Sequence, residues 1–199
     1  MYATKVHIAS SRNIGNRCLL WASQHIPYGF ELSNMDECDI FISTLYDKIV
    51  SKDFINSKIR CINFHPGVLP YYRGSGAYSW SLINKEKYTG VTLHEIDHDI
   101  DHGPIIDIQK TEILPNDTAQ SLYERCMDIL FQMFKDNFID ILHGTYITIQ
   151  NNAGPIYYRK DLEAAKDISH IIRAFTFENK ESAYYYNKNG NKVYIQYET

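Results

Sequence analysis

Apolar residues follow two distinct periods along this chain of 199 residues. Residues 38–44 (CDIFIST) and 58–64 (KIRCINF) are short Ile-containing runs. Such runs are too short for a helix of ordinary length and suit strands buried on both faces. Residues 5–9 alternate as a further strand, while 16–24 and 47–57 read as helices between the runs. Strand, helix, strand, helix, strand is the order of a parallel sheet with crossover helices. Beyond it, 77–84 reads as a short helix, and 89–95 and 104–110 as strands around a polar connection, HEIDHDIDHG. The longest element spans 118–143. There Leu122, Cys126, Ile129, Met133, Phe134, Phe138, Ile141 and Leu142 recur every three or four positions, which is the core-facing stripe of a helix. Asp117 is the expected N-cap and Gly144 the stop. After Gly154 the chain turns polar and Tyr-rich. A helix over 167–177 and two strands, 182–186 and 192–197 joined by Lys-Asn-Gly-Asn, are expected there, the latter as a hairpin. The expected division is an α/β domain over 1–150 and a small helix-plus-hairpin appendage over 151–199.

Composition narrows this only a little. The apolar fraction is 44%, 22% of residues are charged and the net charge is -4. That is ordinary globular composition and gives no support to nucleic-acid binding. No apolar run approaches the length of a membrane helix, and no secretory leader is evident. The four cysteines, Cys18, Cys38, Cys61 and Cys126, form no C-x-x-C pair and three sit in apolar runs, so buried free thiols and a cytoplasmic setting are expected. Sixteen tyrosines offer flat faces with a hydroxyl, which suits rings and sugars but also half-buried sheet faces.

In a parallel sheet, ligands bind beyond the carboxyl ends of the strands. The residues at the end of KIRCINF are therefore the first candidates. Asn63 and His65 lie two apart, on one face of the expected strand. An amide donor beside an imidazole can stabilise a developing oxyanion and move a proton, as acyl-group transfer requires. The same pair also fits an Asn capping a turn and a His at a strand end. In HEIDHDIDHG, His94, His98 and His102 stand four apart. On a helix they would share a face and could hold a metal, but the flanking strands favour a solvated charged loop. His94 is expected to pack at a strand end. Phosphate-loop, nucleophile-elbow and dinucleotide-binding motifs are absent, and SSRNIGN after the first strand has the place of a small anion loop.

Taken in order, Asn63-Phe64-His65-Pro66-Gly67-Val68-Leu69-Pro70, Tyr72-Arg73-Gly74, Gly90-Val91-Thr92-Leu93-His94 and Asp101-His102-Gly103-Pro104-Ile105 resemble the 10-formyltetrahydrofolate-dependent formyltransferases. The resemblance is densest from about Asp39 to Gln109. It implies a Rossmann-like, mostly parallel sheet (the formyltransferase fold) with Asn63, His65 and Asp101 as catalytic residues. It places the formyl donor, 10-formyltetrahydrofolate, on Tyr46, Asp47, Lys48, Ile49, Leu69, Pro70, Asp97, His98, Asp99 and Ile100. No metal is implied, since Asn63 and His65 cover the oxyanion and the proton. The tail, Tyr158-Arg159-Lys160-Asp161-Leu162, Arg173-Ala174-Phe175 and Lys192-Val193-Tyr194-Ile195, looks like that of the nucleotide-sugar N-formyltransferases. It implies a nucleotide-linked amino-deoxysugar as acceptor and a place in polysaccharide biosynthesis. Tyr72, Arg73, Ser75, Tyr78 and Tyr157 are the candidate substrate contacts. Neither a tRNA nor a membrane partner is expected, and the hairpin edge makes a homodimer plausible. Another small amine, such as glycinamide ribonucleotide, and a non-catalytic folate-binding role remain alternatives. The family usually has an additional strand and helix between the first strand and CDIFIST, so the N-terminal half is expected to be trimmed. Ser75 stands where an Arg is common in the family.

Overall fold

The computed structural model describes residues 2–152, 154–164, 168–177, 182–186 and 189–195. Its centre is a six-stranded sheet in the order β2-β1-β3-β4-β6-β7, built from β1 (Thr4–Ala9), β2 (Phe30–Leu32), β3 (Ile40–Thr44), β4 (Arg60–His65), β6 (Tyr88–Glu95) and β7 (Ile105–Glu112). The first four run parallel, and β6 and β7 join antiparallel. The sheet is mostly parallel and Rossmann-like, as expected, with β6 and β7 as its antiparallel edge. All of β3 is buried, as a strand covered on both faces must be. Its side chains alternate: Ile40 and Ile42 join the large core with Ile62, Phe64 and Leu93, while Phe41 turns to a smaller cluster with Cys38 and Cys61.

α1 (Asn13–His25) and α4 (Ala119–His143) cover the larger core. Trp21 meets Phe134 and Phe138 edge-on, with centroids 6.0 and 5.7 Å apart. The stripe on α4 behaves as its spacing dictates: Leu122, Cys126, Met133, Phe134, Phe138, Ile141 and Leu142 are buried. Its cap is corrected. Thr118, not Asp117, is the N-cap, accepting from Ser121 N, and the Ser121 hydroxyl returns to Thr118 N. Asp117 instead accepts from Leu114 N and the Arg125 guanidinium. Gly144 ends the helix at φ 69°, a left-handed conformation that glycine adopts without steric cost.

Two expectations change in the N-terminal half. β2 supplies a strand that pattern reading missed, because three residues carry no period. The helix expected over 47–57 is only α2 (Lys52–Asn56), since Ser51 caps it by accepting from Phe54 N. Residues 46–50 are left as a loop beyond β3. In the tail, β8 (Ile156–Tyr157) pairs with β5 (Arg73–Gly74). α5 (Ile168–Phe175) meets α3 (Ala77–Ile83) through Ser79 Oγ, which donates to Ala174 O at 2.6 Å. β9 (Tyr184–Tyr186) and β10 (Lys192–Tyr194) form the antiparallel hairpin. The first residue of the expected tail helix, 167, position 188 of the hairpin turn, and the end of the last expected strand, 196–197, lie outside the described residues. All four cysteines are free and buried, and burial pushes the thiols of Cys18, Cys61 and Cys126 up to about 12. At that value the thiol form prevails at neutral pH, and it is the thiolate that attacks.

Candidate active site

Beyond the carboxyl ends of β3 and β4 lies a cleft of about 480 Å³, within the usual range for a small-molecule site. Asn63 and His65 stand two residues apart at the end of β4, and both reach Asp101. His65 Nδ1 lies 3.3 Å from Asp101 Oδ2, and Asn63 Nδ2 donates to Asp101 Oδ1 at 3.4 Å. Gly74 N–H donates to the same Oδ2 at 2.8 Å. Asp101 sits at φ 44°, a left-handed conformation that Asp tolerates better than most residues.

The register of β4 against β6 sets Asn63 opposite His94. His94 is buried. Its Nδ1 donates to Glu95 O at 2.6 Å, which fixes the tautomer and leaves Nε2 to accept from Asn63 Nδ2 at 3.0 Å. His94 Nε2 is also 3.6 Å from Asp101 Oδ1. Pattern reading placed His94 at a strand end as a packing residue, and the structure puts it against Asn63 and Asp101. The signal that could have found it is cross-strand pairing, which requires knowing that β6 returns antiparallel beside β4. The other two histidines go elsewhere: His98 meets Asn56 Oδ1 at 3.1 Å and His102 meets Asp97 Oδ2 at 2.6 Å. The four-residue spacing therefore brings no shared face, because the segment is strand and loop rather than helix.

Electrostatics follow from burial. Burial raises the affinity of Asp101 for its proton. The charge that His65 carries when protonated, with the nearby His94 ring and the Gly74 N–H, more than offsets this and holds the carboxyl well below its usual range. His65 is pushed the other way: burial lowers it below the ordinary imidazole value, against the pull of Asp101. Its Nε2 donates to Tyr72 O at 2.6 Å. The neutral ring therefore keeps its proton on Nε2 and presents Nδ1 as the basic nitrogen, beside the carboxylate that would stabilise it once protonated.

The walls sort the remaining candidates. Tyr46, Asp47, Lys48 and Ile49 line the cleft, as do Asp97, His98, Asp99 and Ile100, and Ser75 is at the wall beside Gly76. Ser11 Oγ ties the 46–50 loop to the β1–α1 loop through Asp47 Oδ1 at 2.5 Å. Six candidates are not on the wall. Leu69 is buried and its N–H donates to Thr92 Oγ1, and Pro70 does not line the cleft. Tyr72 points to Glu86, to which its hydroxyl donates at 2.7 Å, and stacks on Tyr157. Tyr78 is sealed in the main core. Arg73 is spent on backbone, donating to Ile100 O at 2.8 Å and Gly154 O at 3.2 Å. Leu69 and Pro70 are expected from the resemblance, Tyr157 from its place at the start of the tail, and the others from their nearness to His65 in sequence; none of the six is on the wall. Arg12 and Tyr158, which the candidate set did not include, are on the wall.

The formyl transferase family model matches residues 28–136, which include Asn63, His65, His94 and Asp101. The chain belongs to the formyl transferase family. Among its relatives is the dTDP-4-amino-4,6-dideoxyglucose formyltransferase of Mycobacterium tuberculosis, 34% identical over 151 residues that cover 69% of this chain and 64% of that protein. This formyl transferase therefore spans just under two-thirds of that relative's length. Its fold is that of a 4-N formyltransferase from Francisella tularensis, at a TM-score of 0.85, with 21% identity and coverage of 98% of this chain and 97% of that one. The formyltransferase PseJ from Anoxybacillus kamchatkensis, solved with UDP-4,6-dideoxy-4-formamido-L-AltNAc and tetrahydrofolate, matches at a TM-score of 0.69 and 25% identity, over 80% of this chain and 88% of that one.

Proposed function

We propose that this formyl transferase moves a formyl group from 10-formyltetrahydrofolate to the amino group of a nucleotide-linked amino-deoxysugar. The observation that carries the reading is the convergence of Asn63, His65 and Asp101 on the floor of one cleft. The mycobacterial relative is named for an aminosugar acceptor, and the PseJ structure holds a formylated nucleotide sugar with tetrahydrofolate. Both support the acceptor class.

The walls fit the two substrates. Leu45, Ile49, Val50, Ile55 and Ile96 give the cleft an apolar lining beside the polar atoms of 97–101, which suits a flat heteroaromatic ring held by a few hydrogen bonds. Bound there, the folate supplies an activated formyl carbon. Arg12 lies on the wall with Ser75, Gly76 and Tyr158. Arg159 is held close to Ser75, whose Oγ accepts from Arg159 N at 3.1 Å. The Arg12 guanidinium on the wall, with Arg159 near enough to feel its charge, suits a diphosphate. In this reading Asn63 Nδ2 exchanges its long contact to Asp101 for the formyl oxygen as negative charge develops there, a donor worth about 3 kcal/mol in comparable sites. His65 takes the proton that the attacking amine gives up, directly or through a water, and Asp101 meets the resulting charge on Nδ1. The same proton passes to the tetrahydrofolate nitrogen as its bond to the formyl carbon breaks, which restores neutral His65.

Residues 1–150 are read as the catalytic unit and 151–199 as its appendage. A cytoplasmic homodimer in polysaccharide biosynthesis is the setting this reading suggests. No helix among the described residues is long and apolar enough to cross a membrane. The test is release of tetrahydrofolate from 10-formyltetrahydrofolate across a panel of nucleotide-linked aminosugars, with glycinamide ribonucleotide alongside. Turnover with at least one aminosugar nucleotide is expected. Turnover with glycinamide ribonucleotide alone would replace the acceptor, and folate binding without turnover on any amine would replace the enzyme with a binding protein.

A further inference from the structure

Asn151 lies fifty residues beyond Asp101, outside the matched family region, and it does not line the cleft. An isolated antiparallel bridge pairs Ile149 with Ile105, with hydrogen bonds of 2.8 and 2.9 Å. Continuing that register sets Asn151 beside Gly103. Its Nδ2 donates to Asp101 O and to Gly103 O, both at 3.1 Å, so one amide spans the chain on either side of His102. The side chain is buried, and its Oδ1 has no hydrogen-bond partner among the described residues. A buried amide oxygen without a partner is costly, so the residue is used here for its donors alone.

The turn it holds is an unfavourable one. Asp101 is at φ 44°, where the Cβ of any residue but glycine is crowded. Gly103 is packed so closely that a Cβ would stand 2.0 Å from Glu95 O. Arg73 braces the preceding carbonyl, Ile100 O, and ties it to Gly154 O. Left-handed turns of this kind persist where surrounding contacts over-determine them. We propose that Asn151 is a positioning residue, which holds the 101–103 turn so that the Asp101 carboxylate faces His65. The inference rests on the reading of Asp101 as the partner of His65 in the transfer above.

The test reads the geometry first on the protein alone. The groups facing His65 are the Asp101 carboxylate, the His94 ring and the Tyr72 carbonyl, and the carboxylate raises the affinity of His65 for its proton. In Asn151→Ala, the NMR titration of His65, assigned by its loss in His65→Gln, is expected to move down by about one pH unit as the carboxylate drifts away. Formyl transfer is expected to lose about tenfold in kcat, with KM for folate and acceptor nearly unchanged. Asn151→Ser, which keeps one donor, should restore part of both. A lowered melting temperature with an unmoved His65 titration would make the residue structural only and overturn the proposal, and so would failure of both variants to fold. The titration needs no substrate. A wild-type protein that transfers nothing would therefore remove the functional reading while leaving the clamp to be decided by the titration.

Discussion

Replacing Asp101 by Asn removes one charge while keeping the shape of the side chain. The carboxylate receives Gly74 N at 2.8 Å, Asn63 Nδ2 at 3.4 Å and the His65 ring at 3.3 Å. With an effective dielectric of about 20, unit charges at that last separation attract by about 5 kcal/mol. Desolvation takes back part of this, and a hydrogen bond to a charged group contributes a net of about 1.5–3 kcal/mol. The loss falls on the step in which His65 becomes charged, because the resting ring is neutral and makes little use of the carboxylate. At about 1.4 kcal/mol per factor of ten, kcat should fall roughly 10- to 100-fold while KM for either substrate changes little. The Asn amide oxygen can still accept from Gly74 N–H at the Oδ2 position, so the fold is kept while the charge that faces Nδ1 is lost. The assay is the initial rate of tetrahydrofolate release at saturating substrates, with circular dichroism to confirm the fold. A folded Asp101→Asn protein with kcat within threefold of wild type would refute the role of this carboxylate.

Two further outcomes follow from the same region. Gly103→Ala places a Cβ 2.0 Å from Glu95 O and 2.7 Å from its carbonyl carbon. Backbone must shift, so urea unfolding should show a loss of about 2 kcal/mol, and an unchanged midpoint would contradict the close approach. Stability should also fall in acid in two stages. His65 is depressed below its ordinary value of 6.5, so as pH drops past that value the unfolded chain takes up a proton that the folded one resists. The slope is at most about 1.4 kcal/mol per pH unit. Asp101 is depressed below 3.8 and adds a second decline below that pH. Unfolding free energies at pH 7.5, 5.5 and 3.5 check this, and His65→Gln should flatten the first stage. Stability that rises from pH 7.5 to 5.5, or that keeps the same slope in His65→Gln, would contradict the burial argument.

Much of the fold is legible because burial on both sheet faces favours short segments dense in apolar residues, and Ile40-Phe41-Ile42 in CDIFIST and Cys61-Ile62 in KIRCINF are such segments. The α4 stripe is legible for the corresponding reason, its period matching a helix packed on one side. β2 is not, because Phe30-Glu31-Leu32 is too short to show a period, and its partner β1 decides it. The cap of α4 moved from Asp117 to Thr118 because both can accept from a helix N-terminus and only the backbone path chooses between them. In the site, Asn63 and His65 are legible as a pair, since alternation along a strand puts them on one face. Tyr72, Tyr78 and Leu69 show the opposite case: they are near His65 in sequence and are turned into the core or toward Glu86.

What the sequence determined by itself is local. It set the alternation of strand and helix, the helical stripe of α4, and the presence of an amide and an imidazole at one strand end. Its motif order also pointed to the family. The tertiary structure decided which distant residues complete that strand end. Asp101 arrives by a left-handed turn, His94 by the antiparallel register of β6 against β4, and Asn151 by a bridge to Ile105 that continues to Gly103. Each depends on backbone pairing between segments tens of residues apart. Side-chain periodicity reports which face of an element is buried, and it carries no information about which segment lies opposite.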